Sequence, residues 1–60
     1  MKVELRLIDG TSIVLVGPWA EYRVTDTDYS CWTTESETSK ENIEIAAAPR
    51  AVVSFVTVTH

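Results

Sequence analysis

The run that most constrains this chain is Val3 to Val16, VELRLIDGTSIVLV. Two β-rich segments flank Asp9-Gly10, and Asp-Gly in that setting is a strong hairpin signal because glycine supplies the positive φ of a tight turn. In the first segment Val3, Leu5 and Leu7 alternate with Glu4 and Arg6, which makes one face apolar and the other polar. The second segment, Ile13-Val14-Leu15-Val16, is apolar at every position, and a strand of that kind expects cover on both faces. The loop decides the register. A two-residue turn sets Val14 opposite Leu5, whereas a three-residue loop with Gly10 as a bulge sets Ile13 there. The second register joins Ile13 and Leu15 to Val3, Leu5 and Leu7 in one core face. It is the register expected here, and it turns Val14 and Val16 outward.

Sixty residues make one domain, and a chain of this size buries only about 60% of the surface its unfolded form exposes. Small domains usually add a staple. With one cysteine, Cys31, no disulfide can form within the chain, and no Cys and His cluster has zinc-site spacing. Self-association is the remedy left, with a homodimer as the first expectation. A lone thiol suits a reducing compartment, and Met1-Lys2-Val3-Glu4 places an acid where a signal peptide would be apolar. The apolar runs fall far short of the roughly 20 residues that span a bilayer. These features lead to the expectation of a cytoplasmic protein with no membrane segment.

The net charge of -4 is concentrated in the middle of the chain. Residues 21–44 hold seven acids (Glu21, Asp26, Asp28, Glu35, Glu37, Glu41, Glu44) against Arg23 and Lys40. Nucleic-acid backbones and anionic membranes require basic surface, so neither is expected as a ligand.

After the hairpin, Gly17-Pro18 breaks the strand and marks a corner. Trp19 to Thr34 reads as a second hairpin turning at Thr25-Asp26-Thr27-Asp28. If Val24 pairs with Tyr29, then Tyr22 faces Cys31 and Ala20 faces Thr33 on a mostly apolar side. The other side carries Arg23 with Ser30, Glu21 with Trp32, and Trp19 with Thr34. Glu35 to Asn42 is polar and without period, which predicts a solvated loop. Asn42 to Ala46 then alternates as a short strand with Ile43 and Ile45 inward and Glu44 outward. A short helix competes for the same stretch, because Thr38-x-x-Glu41 matches a capping box and alanines follow. The alternation of the two isoleucines favours the strand. Pro49-Arg50-Ala51 predicts a tight bend. The last strand, Val52 to Thr59, is apolar on both sides, with Val53 and Phe55 on one and Val52, Val56 and Val58 on the other.

The expected fold is all-β: a small five-stranded antiparallel meander, bent into a barrel or half-barrel. A leading Asp-Gly hairpin, a polar loop after the middle strands and a Pro-containing bend before the last strand resemble SH3-like and Sm-like small barrels in the order of elements. The Sm pattern wants a glycine soon after the second strand begins, together with a polar cluster that contacts nucleotides. This chain has Ile13-Val14-Leu15-Val16 there, so the resemblance carries fold and not RNA binding.

Few residues suggest chemistry. Laid on a twelve-residue calcium loop, Asp26, Asp28, Ser30, Thr34 and Glu37 fall at positions one, three, five, nine and twelve, but the sixth position needs glycine and holds Cys31. Asp and Thr capping a β-turn account for the same residues more simply. Cys31 sits mid-strand on the apolar side with no histidine near it, as a buried structural thiol does. His60 alone supports no acid–base or metal role. The carboxylates Glu35, Glu37, Glu41 and Glu44 lie in or beside a solvated loop and make poor general acids at neutral pH. No enzyme activity, cofactor or metal is expected.

The most promising residues are Trp19 and Trp32, diagonal neighbours on one side of the second hairpin and about 7–8 Å apart, with Glu21 and Arg23 beside them. Tryptophans flanked by charge resemble the centre of a protein interface. The competing account is that the sheet curls and the two rings complete a small core. The expected function is therefore a small non-enzymatic β-module that contacts other proteins through Trp19, Trp32, Glu21 and Arg23. Self-association is expected through Val14, Val16, Val52, Val56 and Val58. The alternative is an acidic inhibitor that mimics nucleic acid and fills a basic cleft on a partner with Glu35, Glu37 and Glu41.

Overall fold

The computed structural model describes residues 1–60. The first hairpin is β1 (Lys2–Leu7) and β2 (Ser12–Val16), and the second is β3 (Trp19–Val24) and β4 (Asp28–Thr34). They are followed by β5 (Asn42–Pro49), a single 3-10 turn at Arg50–Val52, and β6 (Val53–Thr59). All pairings are antiparallel, in two three-stranded sheets: a first sheet ordered β2-β1-β6 and a second ordered β3-β4-β5. The strand count is thus six rather than five, and the sheets do not close into a barrel. The six strands are the six segments marked in the sequence, and the corner at Gly17-Pro18 puts β2 and β3 in different sheets. Its geometry is tight: a Cβ on Gly17 would lie 2.8 Å from the Thr33 Cβ, so glycine lets the corner close against β4. The Met1 nitrogen donates to the Gly17 carbonyl at 2.7 Å, and the Gly17 N–H returns to the Met1 carbonyl at 3.0 Å.

The first hairpin has the three-residue loop. Leu7 N–H donates to the Thr11 carbonyl at 2.8 Å, Gly10 takes φ +91°, and Ile13 stands opposite Leu5. Asp9 Oδ1 accepts from the Thr11 N–H at 2.9 Å and from the Thr11 hydroxyl at 2.6 Å. Those bonds hold its carboxyl below the usual carboxylate range. Val14 and Val16 point outward, 46% and 65% exposed.

The second hairpin pairs Val24 with Tyr29, Tyr22 with Cys31 and Glu21 with Trp32, as the cross-strand test predicts. Its turn is closed by Thr25 N–H to the Asp28 carbonyl at 2.8 Å and by Asp28 N–H to Thr25 Oγ1 at 3.0 Å. Residues 42–49 are strand, with no helix.

Two assignments of face are corrected by the pairing. Ile43 and Ile45 are not inward; they are 49% and 65% exposed. Cys31, fully buried, pairs with Ala46, so Ile45 falls beside Trp32 on the outer side. The register shifts between Thr33 and Thr34, where Ile43 becomes the extra residue of a bulge. On β6 the pairing steps from Arg6–Phe55 to Leu7–Val53, which leaves Ser54 unpaired and puts Val53 inward with Val56 and Val58. Val56 and Val58 lie across from Leu5 and Val3 on the core face, opposite to Val14 and Val16. Val52 is in the 3-10 turn and also packs against the core. The five valines expected to share one association surface are therefore divided between two faces.

Buried Val3, Leu5 and Leu15 of the first sheet meet buried Ala20, Cys31 and Ala48 of the second. The Cα framework is only 14 Å thick along its short axis, which fits two sheets about 10 Å apart. Small residues in the second sheet match the long aliphatic side chains of the first. The second sheet approaches β1 and β2 more closely than β6, whose Val53, Val56 and Val58 are half-buried against the core.

Candidate protein-contact surface

The fully buried inward positions of the second sheet are small, its outer face carries Trp32 and Ile45, and Tyr22, Val24 and Tyr29 share the inward side at the end near the β3–β4 turn. One cross-strand row on that outer face is Glu21–Trp32–Ile45 and the next is Arg23–Ser30–Ala47. Trp19 begins the face opposite Thr34, and Ile43 stands out at the bulge nearby. Trp19 and Trp32 are both half-buried, and neither belongs to the core cluster. The Trp19 indole N–H is buried with no acceptor, as is the Thr33 hydroxyl on the inner face. Groups of this kind are costly, about 1–3 kcal/mol each.

Glu21 is half-buried beside Trp32, and Arg23 is exposed. Neither is in an ion pair; the single salt bridge of the molecule joins Arg6 and Glu4 at 3.5 Å on the first sheet's outer face. Glu35, Glu37 and Glu41 are exposed in the loop between β4 and β5. That loop leaves from Thr34 and returns at Asn42, so the acids gather at the Trp19 end of the second sheet. The structure therefore brings together the aromatic pair and the acidic loop, which the sequence suggests as separate sites. It also adds Ile45 and Ile43, which alternation alone assigns to the interior.

The other residues with chemical interest lie apart. Asp26 and Asp28 are in the β3–β4 turn, where Asp28 Oδ2 accepts from the Thr27 hydroxyl at 2.9 Å. No group of three or more His, Cys, Asp and Glu side chains is arranged to hold a metal ion. Burial pushes the Cys31 thiol up, with the Ala46 backbone acting weakly in the opposite sense, so little thiolate forms at neutral pH. The surface has no concave pocket, and no helix is long and apolar enough to cross a membrane.

No family model matches the chain. No curated protein and no solved structure matches it either.

Proposed function

We propose that this chain is a small non-enzymatic β-module that works through protein–protein contacts and self-association. One observation carries the proposal: Ile45 is 65% exposed beside Trp32, on a sheet face whose opposite side buries Ala20, Cys31, Thr33 and Ala48. A small domain has few large apolar residues, and leaving them outside is costly unless something covers them. Trp19, Trp32, Ile43 and Ile45 form the apolar part of the proposed contact, with Glu21 and Arg23 alongside. The acidic loop at one end favours a partner whose apolar patch is bordered by basic residues. Serine at both Ile43 and Ile45, which are exposed, is expected to abolish partner capture while leaving the thermal midpoint nearly unchanged. Capture of the same partner at wild-type strength by that double variant would overturn the assignment of this face. Self-association is tested by sedimentation at micromolar concentration and above, where a persistent 6.7 kDa species would refute it.

A second reading is supported by the acids themselves. Glu35, Glu37 and Glu41 are exposed and free of ion pairs, as an inhibitor that occupies a basic nucleic-acid-binding cleft requires. It predicts binding that weakens steeply with salt and fails when the three glutamates become lysine. The apolar reading predicts a modest weakening in both experiments and loss of binding only when Ile43 and Ile45 are replaced.

Counted with β2 and β3 as one strand bent at Gly17-Pro18, the chain is a five-stranded meander of the SH3-like kind. Support comes from the sequential pairing of neighbours, from β6 lying beside β1, and from the turn at Arg50–Val52 before the last strand. No binding property follows from that likeness.

A further inference from the structure

Two three-stranded sheets leave four edges, and three of them carry features that discourage pairing. The β3 edge carries Glu21 and Arg23. The β5 edge carries Glu44, a bulge and Pro49. The β2 edge is five residues long, runs directly into the corner at Gly17-Pro18, and has the second sheet packed against it. Charge, proline, bulges and brevity are the usual means by which edges avoid other chains. The β6 edge has less protection. Val53–Thr59, VSFVTVT, is seven residues with no charge and no proline, rich in β-branched side chains, and its one bulge lies at Ser54 near the start.

The ladder shows which backbone groups of β6 are unpaired. Met1 exchanges bonds with Gly17, and Leu7 N–H bonds to Thr11, so the odd residues of β1 face β2. The even residues face β6, as Ile8 N–H to the Val52 carbonyl at 2.9 Å confirms. Lys2, Glu4 and Arg6 therefore bond to Thr59, Thr57 and Phe55. Val56 and Val58 turn their N–H and C=O groups to the free edge. Their side chains are half-buried on the core face, at the strand of the first sheet that the second sheet approaches least closely.

We propose that β6 is the self-association surface, and that two copies of this chain join along it as antiparallel strands. The proposal rests on the self-association reading above and names its surface. A strand paired with its own copy about a twofold axis must run antiparallel. With Val56 opposite Val58 of the second copy, both exchange two backbone bonds and Thr57 sits on the axis opposite itself. The two first sheets become one sheet of six strands, and the half-exposed valines meet on its inner face. No charge is brought opposite a like charge. A strip roughly 24 Å long and about 10 Å wide buries roughly 500 Å² over the two copies, below the ~1,000 Å² of a stable interface, so the dimer dissociates on dilution.

The test is sedimentation equilibrium of the full chain as wild type, Thr57→Lys and Val16→Lys, from micromolar to millimolar concentration. Thr57 and Val16 are both exposed, so neither lysine disturbs the core. The expected result is a monomer–dimer equilibrium that Thr57→Lys weakens about fivefold, because it sets two lysines opposite one another, and that Val16→Lys leaves unchanged. Amide exchange at Val56 and Val58 is expected to slow as wild-type concentration rises. A wild-type dimer that Thr57→Lys leaves at full strength, or whose Val56 and Val58 amides exchange at the monomer rate, overturns the edge and spares self-association. A wild-type chain that stays monomeric throughout overturns both.

Discussion

The two sheets of this molecule use their faces in opposite ways. The first sheet sends Val3, Leu5 and Leu15 inward and shows Lys2, Glu4 and Arg6 on the outside of its central strand. The second sheet sends Ala20, Cys31 and Ala48 inward and keeps Trp32 and Ile45 on the outside of its middle rows. Both strand sets alternate, yet only the first buries long aliphatic side chains completely; the most deeply buried positions of the second are small. Packing accounts for the difference. Where the sheets are closest, long aliphatic chains from one side fill the gap and the second sheet contributes Ala20, Cys31 and Ala48, while its inward Tyr22 and Val24 stay exposed beyond that contact. Trp32 and Ile45 are thereby left for the outer surface, and a domain of 60 residues has few such side chains to spare.

This contrast can be broken most strongly at its aliphatic side. Leu5→Ala removes a fully buried side chain and is expected to cost about 2–5 kcal/mol, enough to unfold much of the population in a chemical-denaturation titration. Where the two sheets join, Gly17→Ala places a methyl against the Thr33 Cβ. It is expected to cost about 1–3 kcal/mol by overpacking, read as a lower denaturation midpoint at constant slope. On the small-residue side the sign reverses. Thr33→Val replaces a buried, unpartnered hydroxyl with a methyl of the same shape, and should raise stability by about 1 kcal/mol.

Ile45→Ser sharpens the comparison further. An outward isoleucine should cost about 0.5 kcal/mol or less, against the far larger loss at Leu5. A cost at Ile45 matching that at Leu5 would show that the second sheet hides its isoleucine after all. The smallest effect is at Asp9. Its pKa is lowered in the folded chain, so its contribution is present at neutral pH and is lost as pH falls through the lowered value. Asp9→Asn should flatten that part of the acid limb, in a thermal-midpoint series against pH, and leave the neutral midpoint close to wild type.

Local patterning carried much of the architecture. Asp9-Gly10 and the even spacing of Val3, Leu5 and Leu7 were enough to select the register with Ile13 opposite Leu5. The pairing of Val24 with Tyr29 was legible from the side chains it brings together. Gly17-Pro18, the polar loop and the bend before β6 were marked by residues whose backbone preferences act on their own. What remained hidden depends on distant parts of the chain. The bulges after Arg6 and Thr33 have no glycine or proline to announce them, and each reverses the alternation beyond it. The inward direction of β5 is not a property of Asn42–Pro49. It is set by Ala46 pairing with buried Cys31, and by how near the first sheet stands.

By itself, then, the sequence determined the strands, the turns and two hairpin registers, because these depend on φ preferences and on neighbours a few residues away. Only the tertiary structure decided that there are two sheets and which face of the second is buried. Alternation defines two faces of a strand but does not say which one meets the core. That depends on the volume left by the opposing sheet, and here the volume admits alanine and excludes isoleucine.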